Sequence, residues 1–314
     1  MTRKAIVTGG AGFVGSHLVD LLVDRGWNVL VLDDLSSGKM DHLAEVRQRA
    51  KIGVHITDIV APEIGDVVGR FGPEVVFHLA AQSKVRPSVD DPLHDAEVNV
   101  LGTVGVLSAA AAADVRKVVF ASSGGAIYGG AVKLPVKESA TKKPESPYGI
   151  SKKIVSDYFR WFREMYELDF TLIAPANIYG PRQDPGLEGG VVAIFSQAML
   201  RGRRPTIFGD GTQTRDFVFV ADICDAFLRA ADAGSGALLN AGSGKETSIL
   251  DLYGAIATAI GFADPPQFDD PKPGDVARSV IDASKAKSVL GWEAWTSLDE
   301  GLARTVEWYR SSSQ

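Results

Sequence analysis

A glycine-rich turn between a predicted strand and a predicted helix most constrains the fold of this chain. Residues 4–8 form a short apolar, β-branched run that is typical of a buried parallel strand. Gly9, Gly12 and Gly15 follow, and a helical pattern covers residues 16–25. Such glycines let the backbone approach a ligand closely, and the free N–H groups at the helix N-terminus attract negative charge. The segment therefore predicts a cradle for a diphosphate at the edge of a parallel sheet.

An acidic residue at the end of the second predicted strand indicates which ligand the cradle holds. Residues 28–32 read as a strand that ends at Asp33. A carboxylate about twenty positions after such a glycine turn accepts hydrogen bonds from the adenosine ribose hydroxyls. It also repels a 2′-phosphate, so Asp33 favours NAD over NADP.

Further apolar runs predict the rest of the sheet, at 54–59, 75–81, 117–121 and 171–174. Small residues at the end of 75–81 leave room for a cofactor outside the carboxyl edge of the sheet. Asp58 stands where a side chain reaches an adenine amino group. His78 lies inside an apolar run and is expected to be a hydrogen-bonded core histidine.

Composition excludes several other classes of protein. The 314 residues carry a formal net charge of −6, which argues against nucleic acid or an anionic membrane as the main partner. Cys224 is the one cysteine, so the chain has no intrachain disulfide, and it is expected to pack inside a helix. No His/Asp/Glu cluster has metal-ligand spacing, and no apolar run reaches membrane-spanning length. Because the first residues run straight into a strand without a signal peptide, a cytoplasmic location is expected.

Tyr148 and Lys152 form the candidate catalytic pair. Four residues apart, they lie on one face of a helix. A nearby ammonium lowers the pKa of a phenol from its usual value near ~10, which would make Tyr148 a base for a sugar or alcohol hydroxyl. Ser122 and Ser123 close a predicted strand and would face the same crevice. The same patterns also occur as a chance pair on a helix and as a simple turn.

Asn99 lies in a predicted helix that spans residues 95–113. Two interpretations stay open for this polar residue in an apolar segment. It is either a capped or exposed group, or it hydrogen-bonds backbone near the active site.

Taken in order, these motifs resemble those of a known family: Gly9-x-x-Gly12-x-x-Gly15, Asp33, Asp58, His78-Leu79-Ala80-Ala81-Gln82, Asn99, Ser122-Ser123 and Tyr148-x-x-x-Lys152. The chain is similar to the extended short-chain dehydrogenases/reductases and, among them, to the UDP-glucose 4-epimerases. The likeness runs from residue 4 to about 310 and includes the segments 33–39, 176–185, 191–195 and 209–216.

The resemblance implies a mechanism. Bound NAD⁺ takes a hydride from C4 of a UDP-sugar while Tyr148 takes the O4 proton, and the 4-keto intermediate then turns so that the hydride returns to its other face. In this scheme Lys152 lowers the pKa of Tyr148 and binds the nicotinamide ribose. Ser123, placed only narrowly ahead of Ser122, assists at O4.

The resemblance also implies two sets of binding residues. The NAD contacts are expected at Gly9, Gly12, Phe13, Val14, Gly15, Asp33, Asp34, Ser36, Ser37, Gly38, Asp58, Ile59, Leu79, Ala80, Ala81, Gln82, Asn99, Ala121, Tyr148, Lys152 and Pro175. The UDP-sugar contacts are expected at Lys84, Ser123, Asn177, Val192, Thr206, Phe208, Arg215, Lys272, Asp275 and Ser279. Arg215 matches a diphosphate-binding position, and Thr206 and Phe208 match positions that contact uridine.

Three positions depart from the family pattern or refine it. Family members often carry Arg-Tyr where this chain has Ala174-Pro175, which changes the nicotinamide contacts. Lys272 replaces a second diphosphate arginine, and because lysine loses bidentate geometry a weaker affinity for the sugar nucleotide is expected. Ser279 aligns with a gate at the sugar C2 substituent and leaves room for N-acetyl sugars. Arg203 and Arg204 are expected to be surface residues.

The predicted architecture is a Rossmann-type doubly wound parallel sheet with a smaller mixed α/β substrate lobe. The first lobe comprises residues 1–176 and 217–241, and the second comprises 177–216 and 242–314. A homodimer is expected through the helices that carry Asn99 and Tyr148. The apolar residues Val104, Leu107, Ile154 and Tyr158 are compatible with that contact and equally with burial against the chain's own sheet.

Fold alone does not settle the reaction. A 4,6-dehydratase would need an acid and a base, commonly Asp-Glu, where this chain has Gly124-Gly125, and a UDP-glucuronate decarboxylase would need Glu there. A one-way reductase would need exchangeable NADPH, which Asp33 disfavours. A UDP-glucuronate 4-epimerase and a non-catalytic NAD-binding protein stay as alternatives to UDP-glucose/UDP-galactose epimerisation.

Overall fold

A parallel β-sheet lies at the centre of this computed structural model, which describes residues 2–130, 133–186, 190–271 and 276–312. The strands are β1 (Lys4–Thr8), β2 (Asn28–Asp33), β3 (Gly53–Ile56), β4 (Val75–His78), β5 (Lys117–Ala121), β6 (Asp169–Pro175), β7 (Asn177–Tyr179), β8 (Thr206–Phe208), β9 (Thr214–Arg215), β10 (Phe217–Phe219), β11 (Ala237–Ala241), β12 (Thr247–Ser248), β13 (Gln267–Asp269) and β14 (Arg278–Ser279). Seven of them form the main sheet in the order β11-β6-β5-β4-β1-β2-β3, with all pairs parallel. The order reverses between β1 and β4, and ligands of doubly wound folds bind outside the carboxyl ends of the strands at such a point.

Helices cover both faces of the sheet. They are α1 (Phe13–Asp24), α2 (Ala44–Arg49), α3 (Ile64–Phe71), α4 (Val85–Asp90), α5 (Pro92–Ala96), α6 (Thr103–Ala112), α7 (Pro147–Tyr166), α8 (Val191–Leu200), α9 (Val220–Ala230), α10 (Ile249–Ile260), α11 (Ser284–Leu290) and α12 (Leu298–Ser312). Val7 and Phe77 pack into a core with residues of α1 and α9, whereas their neighbours Ile6 and Val76 pack into a second core with residues of α3, α6 and α7. Because side chains alternate along a strand, the two cores lie on opposite faces, and this confirms the predicted doubly wound α/β fold.

The segments outside the main sheet form small sheets of their own. β7 pairs with β10, β8 pairs with β13, and β9 lies between β12 and β14. Helices α8, α10 and α12 pack against one another beside them. The chain returns to the main sheet through β11. The division into two lobes stays a prediction.

Several element boundaries differ from the sequence-based prediction. β3 ends at Ile56, which pairs with the last residue of β2, so Asp58 lies in the turn beyond the ladder. β4 likewise ends at His78, opposite the last residue of β1. β6 extends to Pro175. Proline has no backbone N–H to donate, and it is tolerated here because it is the last residue of the strand. The glycine turn brings Phe13 already into α1, three residues before the predicted start.

Two further boundaries differ on the helical side. The predicted helix over residues 95–113 is divided into α5, a π-helical turn at Glu97–Gly102, and α6. The apolar run of residues 217–220 also predicts a strand, but the strand ends at Phe219, because Val220 already begins α9. Cys224 is buried in α9 as predicted. Within the described ranges, helices of the length and apolarity needed to cross a membrane are not found.

Candidate active site

A large cavity opens at the carboxyl edge of the sheet, with a volume of about 1510 Å³. It exceeds the roughly 300–1,000 Å³ of an ordinary ligand pocket, so it has room for a dinucleotide together with a nucleotide sugar. Twenty of the residues expected to bind cofactor or substrate line it: Gly9, Gly12, Phe13, Val14, Gly15, Asp33, Asp34, Ser36, Ser37, Asp58, Ile59, Leu79, Ala80, Ala81, Gln82, Asn177, Val192, Thr206, Phe208 and Arg215. The glycine turn and the small strands β7, β8 and β9 thus face one continuous cavity.

The glycine turn is shaped to hold a diphosphate. A Cβ built on Gly15 would lie 2.0 Å from the carbonyl oxygen of Gly9, so only glycine permits this packing of helix on turn. Gly9 adopts φ +68°, the left-handed region, and a Cβ there would lie 2.8 Å from the Ala80 nitrogen. No side chain caps the N-terminus of α1. The first-turn N–H groups of α1 therefore remain available to an anionic ligand at the cavity wall, and the turn fits a dinucleotide.

Asp33, the carboxylate predicted to bind the adenosine ribose, has two backbone partners. It is buried at the end of β2, where Oδ2 accepts a hydrogen bond from the Ala11 N–H (2.8 Å) and Oδ1 accepts one from the Leu35 N–H (2.9 Å). Burial raises the pKa of Asp33, while these two hydrogen bonds oppose the rise. Each oxygen keeps a further lone pair for a ligand hydroxyl. Gly38 packs onto this carboxylate, because a Cβ there would lie 2.5 Å from Oδ1.

His78 is a structural residue, as predicted. Its Nδ1 lies 2.7 Å from Thr8 Oγ1 and its Nε2 lies 3.0 Å from Thr103 Oγ1, with the ring fully buried. Burial lowers the pKa of His78 to about 3, and the Lys152 charge lowers it further in the same direction. The imidazole is therefore neutral near pH 7 and bridges β1, β4 and α6.

Helix α7 carries Tyr148 and Lys152 to the end of β5. Ser146 caps the helix by accepting a hydrogen bond from the Gly149 N–H (3.2 Å), and Pro147 occupies its first position. The Lys152 ammonium donates to the Ala121 carbonyl oxygen (2.9 Å) and lies 5.8 Å from the centre of the Tyr148 ring. The predicted pair is thus on one helix face and close together.

The two hydroxyls at the end of β5 differ in what they contact. The Ser123 side chain is hydrogen-bonded to the Tyr148 side chain. Ser122 is buried, and its backbone N–H donates to the Ile173 carbonyl oxygen (2.7 Å) of the adjacent strand. The geometry therefore favours Ser123 over Ser122 as the partner of the tyrosine.

The expected lowering of the Tyr148 pKa is not found in the chain by itself. Burial raises the pKa of Tyr148 to about 12, although the hydrogen bond with Ser123 lowers it, and the Asp95 charge adds to the rise. Burial also lowers the pKa of Lys152 to about 7, against the opposing effect of Asp95. A permanently charged lysine would lower the pKa of Tyr148, but a desolvated ammonium with a pKa near neutrality stabilises a phenolate less.

Asn99 agrees with the second of its two interpretations. It is buried in the π-helical turn, and its Nδ2 donates to the Gln82 carbonyl oxygen (2.9 Å) and to Asp95 Oδ1 (2.9 Å). Gln82 lies in the loop after β4 that lines the cavity. The amide thus fixes the backbone beside the site rather than facing solvent.

On the opposite wall, Arg215 is held by backbone. Its Nη1 donates to the carbonyl oxygens of Thr214 (2.8 Å) and Val276 (2.6 Å). Gln213 donates to the Phe208 carbonyl oxygen (2.8 Å) and so ties the loop after β8 to β9. Arg203 and Arg204 are exposed, as predicted.

The remaining expected residues do not line the cavity. Described residues of this kind are Gly38, Lys84, Asn99, Ala121, Ser123, Tyr148, Lys152, Pro175 and Ser279. Ser146, the cap of α7, is part of the cavity wall, so the helix that carries Tyr148 and Lys152 begins at the cavity. Ser279 pairs with Arg215 in the β14–β9 ladder. Lys272 and Asp275 lie outside the described residues.

Sequence reasoning missed several residues of this site. Arg86, Glu145 and Gln213 line the cavity, and Asp95 is buried beneath it. The only signal for Asp95 was its position one helical turn before Asn99, since an isolated aspartate in a polar stretch normally indicates a surface residue. Among the described residues, no three His, Cys, Asp or Glu side chains are grouped to hold a metal ion.

Comparisons with known proteins agree with this site. Residues 6–305 match the family model described as GDP-mannose 4,6 dehydratase. The UDP-glucose 4-epimerase of Mycolicibacterium smegmatis is 50% identical over 99% of this chain and 100% of that protein. The structure of the UDP-glucose 4-epimerase of Thermotoga maritima with UDP-glucose superposes with a TM-score of 0.96 at 42% identity, covering 99% of this chain and 100% of that one.

A second solved structure adds a cofactor to the comparison. The UDP-glucose 4-epimerase of Thermus thermophilus in complex with NAD has a TM-score of 0.91 and 36% identity, covering 99% of this chain and 100% of that one. Matches of this extent at these identities show family membership. The chain belongs to the NAD-dependent epimerase/dehydratase family of extended short-chain dehydrogenases/reductases and is a UDP-glucose 4-epimerase-like, NAD-dependent enzyme.

Proposed function

We propose that this enzyme inverts C4 of a UDP-hexose, with UDP-glucose and UDP-galactose as its first candidates. The observation that carries the proposal is the Ser123–Tyr148–Lys152 group at the end of β5, beside one cavity that contains both the glycine cradle and Arg215. The relatives named UDP-glucose 4-epimerase support this assignment.

The residues present fit NAD. The first turn of α1 would hold the diphosphate, Asp33 the adenosine ribose, and Asp58 the adenine edge, with Lys152 at the nicotinamide ribose. When bound, the cofactor supplies the hydride acceptor and donor for C4 of the sugar. All other steps fall to side chains of this chain.

Tyr148 is the proposed acid and base at O4. Its phenol oxygen would take the O4 proton as the carbonyl forms and return it when the alcohol is restored on the other face. Ser123 would orient the O4 hydroxyl through its hydrogen bond with Tyr148. Lys152 is anchored on the Ala121 carbonyl, and its protonated amine would stabilise the phenolate.

Gly124 and Gly125 support epimerisation over dehydration. A Cβ at Gly124 would lie 3.0 Å from the carbonyl oxygens of both Ala174 and Pro175. The backbone is therefore closely packed at Gly124, one of the two positions where a dehydratase needs an acidic side chain, whereas a Cβ at Gly125 would meet open space. This favours an intact C5–C6 unit in the product.

The substrate range is part of the same proposal. Ser279 lies in the ladder beside Arg215, and its small side chain would leave room for an N-acetyl group at C2. We therefore expect conversion of UDP-GlcNAc to UDP-GalNAc as well. An enzyme that converts UDP-glucose and leaves UDP-GlcNAc untouched would contradict this extension.

A homodimer is proposed through α7 and the π-helical turn. Leu101 in that turn and Ile150, Ile154, Tyr158 and Trp161 on α7 are exposed apolar residues. By contrast, Val104 and Leu107 pack into the chain's own core. Light scattering should give twice the mass of the chain, and Ile154→Glu should give the monomer.

The test is conversion without added cofactor. The purified protein is incubated separately with UDP-glucose, UDP-GlcNAc and UDP-glucuronate, and C4 inversion is followed by NMR. Interconversion without added NAD is expected, and Tyr148→Phe should reduce the rate about 10²- to 10⁴-fold while leaving thermal unfolding unchanged. No inversion, with keto product or NADH accumulating, would replace the proposal with a dehydratase or dehydrogenase.

A further inference from the structure

A buried carboxylate lies under the catalytic helix. Asp95, at the end of α5, is fully buried. Its Oδ1 accepts hydrogen bonds from Gln82 Nε2 (3.0 Å) and Asn99 Nδ2 (2.9 Å), and its Oδ2 accepts one from Ser151 Oγ (2.6 Å). Asp95 therefore connects the loop after β4, the π-helical turn and α7 through one side chain.

The three partners connect this carboxylate to the cavity loop and to α7. Ser151 directly precedes Lys152 on α7, and Gln82 lines the cavity. Gln82 also accepts a hydrogen bond from the Lys84 N–H (2.6 Å) at its Oε1. A shift of Asp95 would consequently move both the catalytic helix and the cavity loop.

Asp95 has no cationic partner of its own. Within the described ranges, no Lys, Arg or His nitrogen lies within 4.0 Å of its carboxylate. Burying an unpaired carboxylate is unfavourable unless hydrogen bonds compensate it, and a neutral residue of similar shape would fill the same space. A buried carboxylate without an ion partner therefore points to a use beyond packing.

We propose that Asp95 is a positioning residue for the Tyr148–Lys152 pair, locking α7 onto the cavity loop and placing a negative charge beside the pair. The role rests on the proposed function. It adds to that function a group that contacts neither the sugar nor the cofactor cradle.

The charge environment agrees with this role. The titratable groups facing the pair are Asp95 from α5 and His78 from β4, and His78 is neutral near pH 7. The Asp95 charge raises the pKa of both Lys152 and Tyr148. Removing the charge should therefore lower both pKa values together.

Two variants separate charge from geometry. Asp95→Asn keeps the shape, because an amide oxygen still accepts from Gln82 and Asn99, and the Ser151 hydroxyl rotates to accept from the new amide. Ser151→Ala instead removes the hydrogen bond to α7 and keeps the charge. If Asp95 had only a structural role, both variants would lose activity, and the pKa values of Lys152 and Tyr148 would stay unchanged.

The first measurement does not depend on activity. In protein labelled with [¹³C]lysine, the Lys152 ε-carbon signal, assigned with Lys152→Met, is titrated by NMR. We expect a midpoint near 7 in the native enzyme, about one unit lower in Asp95→Asn, and unchanged in Ser151→Ala. An unmoved midpoint in a folded Asp95→Asn variant would overturn the proposal.

The second measurement is the pH profile of kcat for the best UDP-sugar. The whole profile of Asp95→Asn should shift to lower pH, while Ser151→Ala should lose rate at every pH without a shift. A fall in rate without a shift in Asp95→Asn would contradict the charge role. If the native enzyme converts no UDP-sugar, the proposed function fails, and the lysine titration still decides the role of Asp95.

Discussion

A buried lysine lies at each end of strand β5, and the two lysines differ in their hydrogen-bond and ion-pair partners. At the amino end, the Lys117 ammonium lies 3.2 Å from Asp169 Oδ2 and donates to the Ala233 carbonyl oxygen (2.6 Å). At the carboxyl end, Lys152 donates to the Ala121 carbonyl oxygen, and no carboxylate of the described part of the chain lies within 4.0 Å. The exposed fractions are nearly equal, 1% for Lys117 and 4% for Lys152.

The difference lies in the ion partner rather than in burial. Burial lowers the pKa of both lysines, but Asp169 opposes the effect directly at Lys117. At Lys152 the more distant Asp95 opposes it, and the pKa settles at about 7. At the amino end the ion pair with Asp169 therefore favours the charged form of Lys117 and serves the fold. The carboxyl end holds a charge that changes near neutral pH, where the proposed proton transfer takes place.

The sharpest test of this comparison removes each amine in turn. Lys152→Met should reduce kcat for UDP-sugar inversion by about 100-fold or more, because the phenolate of Tyr148 loses its nearest cation. Lys117→Met should keep the native rate, since Asp169 stays partly exposed and hydrogen-bonded to Ser235. Steady-state rates and urea unfolding of both variants provide the measurement. Equal losses of activity would remove the distinction between the two ends.

A second variant makes the amino end resemble the carboxyl end. Asp169→Asn leaves Lys117 with only a neutral partner, so its pKa should fall and the folded state should lose about 2 kcal/mol at pH 7. A lysine with a lowered folded-state pKa takes up fewer protons than the unfolded chain, so stability should recover as pH rises toward 10.5. Urea unfolding at pH 7 and pH 9.5 measures both effects. A deficit that does not shrink at the higher pH would show that charge is not its cause.

The last expected effect concerns His78, the neutral neighbour of Lys152. The pKa of His78 is about 3 in the folded state and 6.5 unfolded, so only the unfolded chain gains its proton as pH falls below 6.5. Between pH 7 and pH 5 this residue should therefore reduce the free energy of unfolding by about 2 kcal/mol.

The control for this effect is His78→Gln, which removes the titration. Its stability should depend less steeply on pH over the same range, although His17, with a pKa lowered to about 4 by burial, keeps part of the slope. Chemical unfolding at several pH values compares the two proteins. Parallel curves for the native and variant chains would mean that His78 is not neutral in the fold.

Most of the fold followed from local pattern. β1, β2 and β5 lie where their apolar runs predicted them, because a strand buried on both faces leaves a continuous apolar run in the sequence. The π-helical turn at Glu97–Gly102 was not predicted, because it depends on Asn99 reaching Gln82 and Asp95 in space. The predicted ends of β3 and β4 were wrong, because each strand ends opposite the last residue of the neighbouring strand with which it pairs.

The sequence by itself determined the order of the motifs: a glycine turn, a carboxylate after the second strand, and a tyrosine and a lysine one helical turn apart. These depend on short-range spacing along strands and helices, which the chain encodes locally. Only the tertiary structure decided that Ser123 rather than Ser122 bonds to Tyr148, that burial lowers the pKa of Lys152 to about 7, and that the Asp95 carboxylate accepts a hydrogen bond from Ser151 beside Lys152. Burial and charge are set by residues distant in sequence, so these properties exist only once the sheet and its helices are packed.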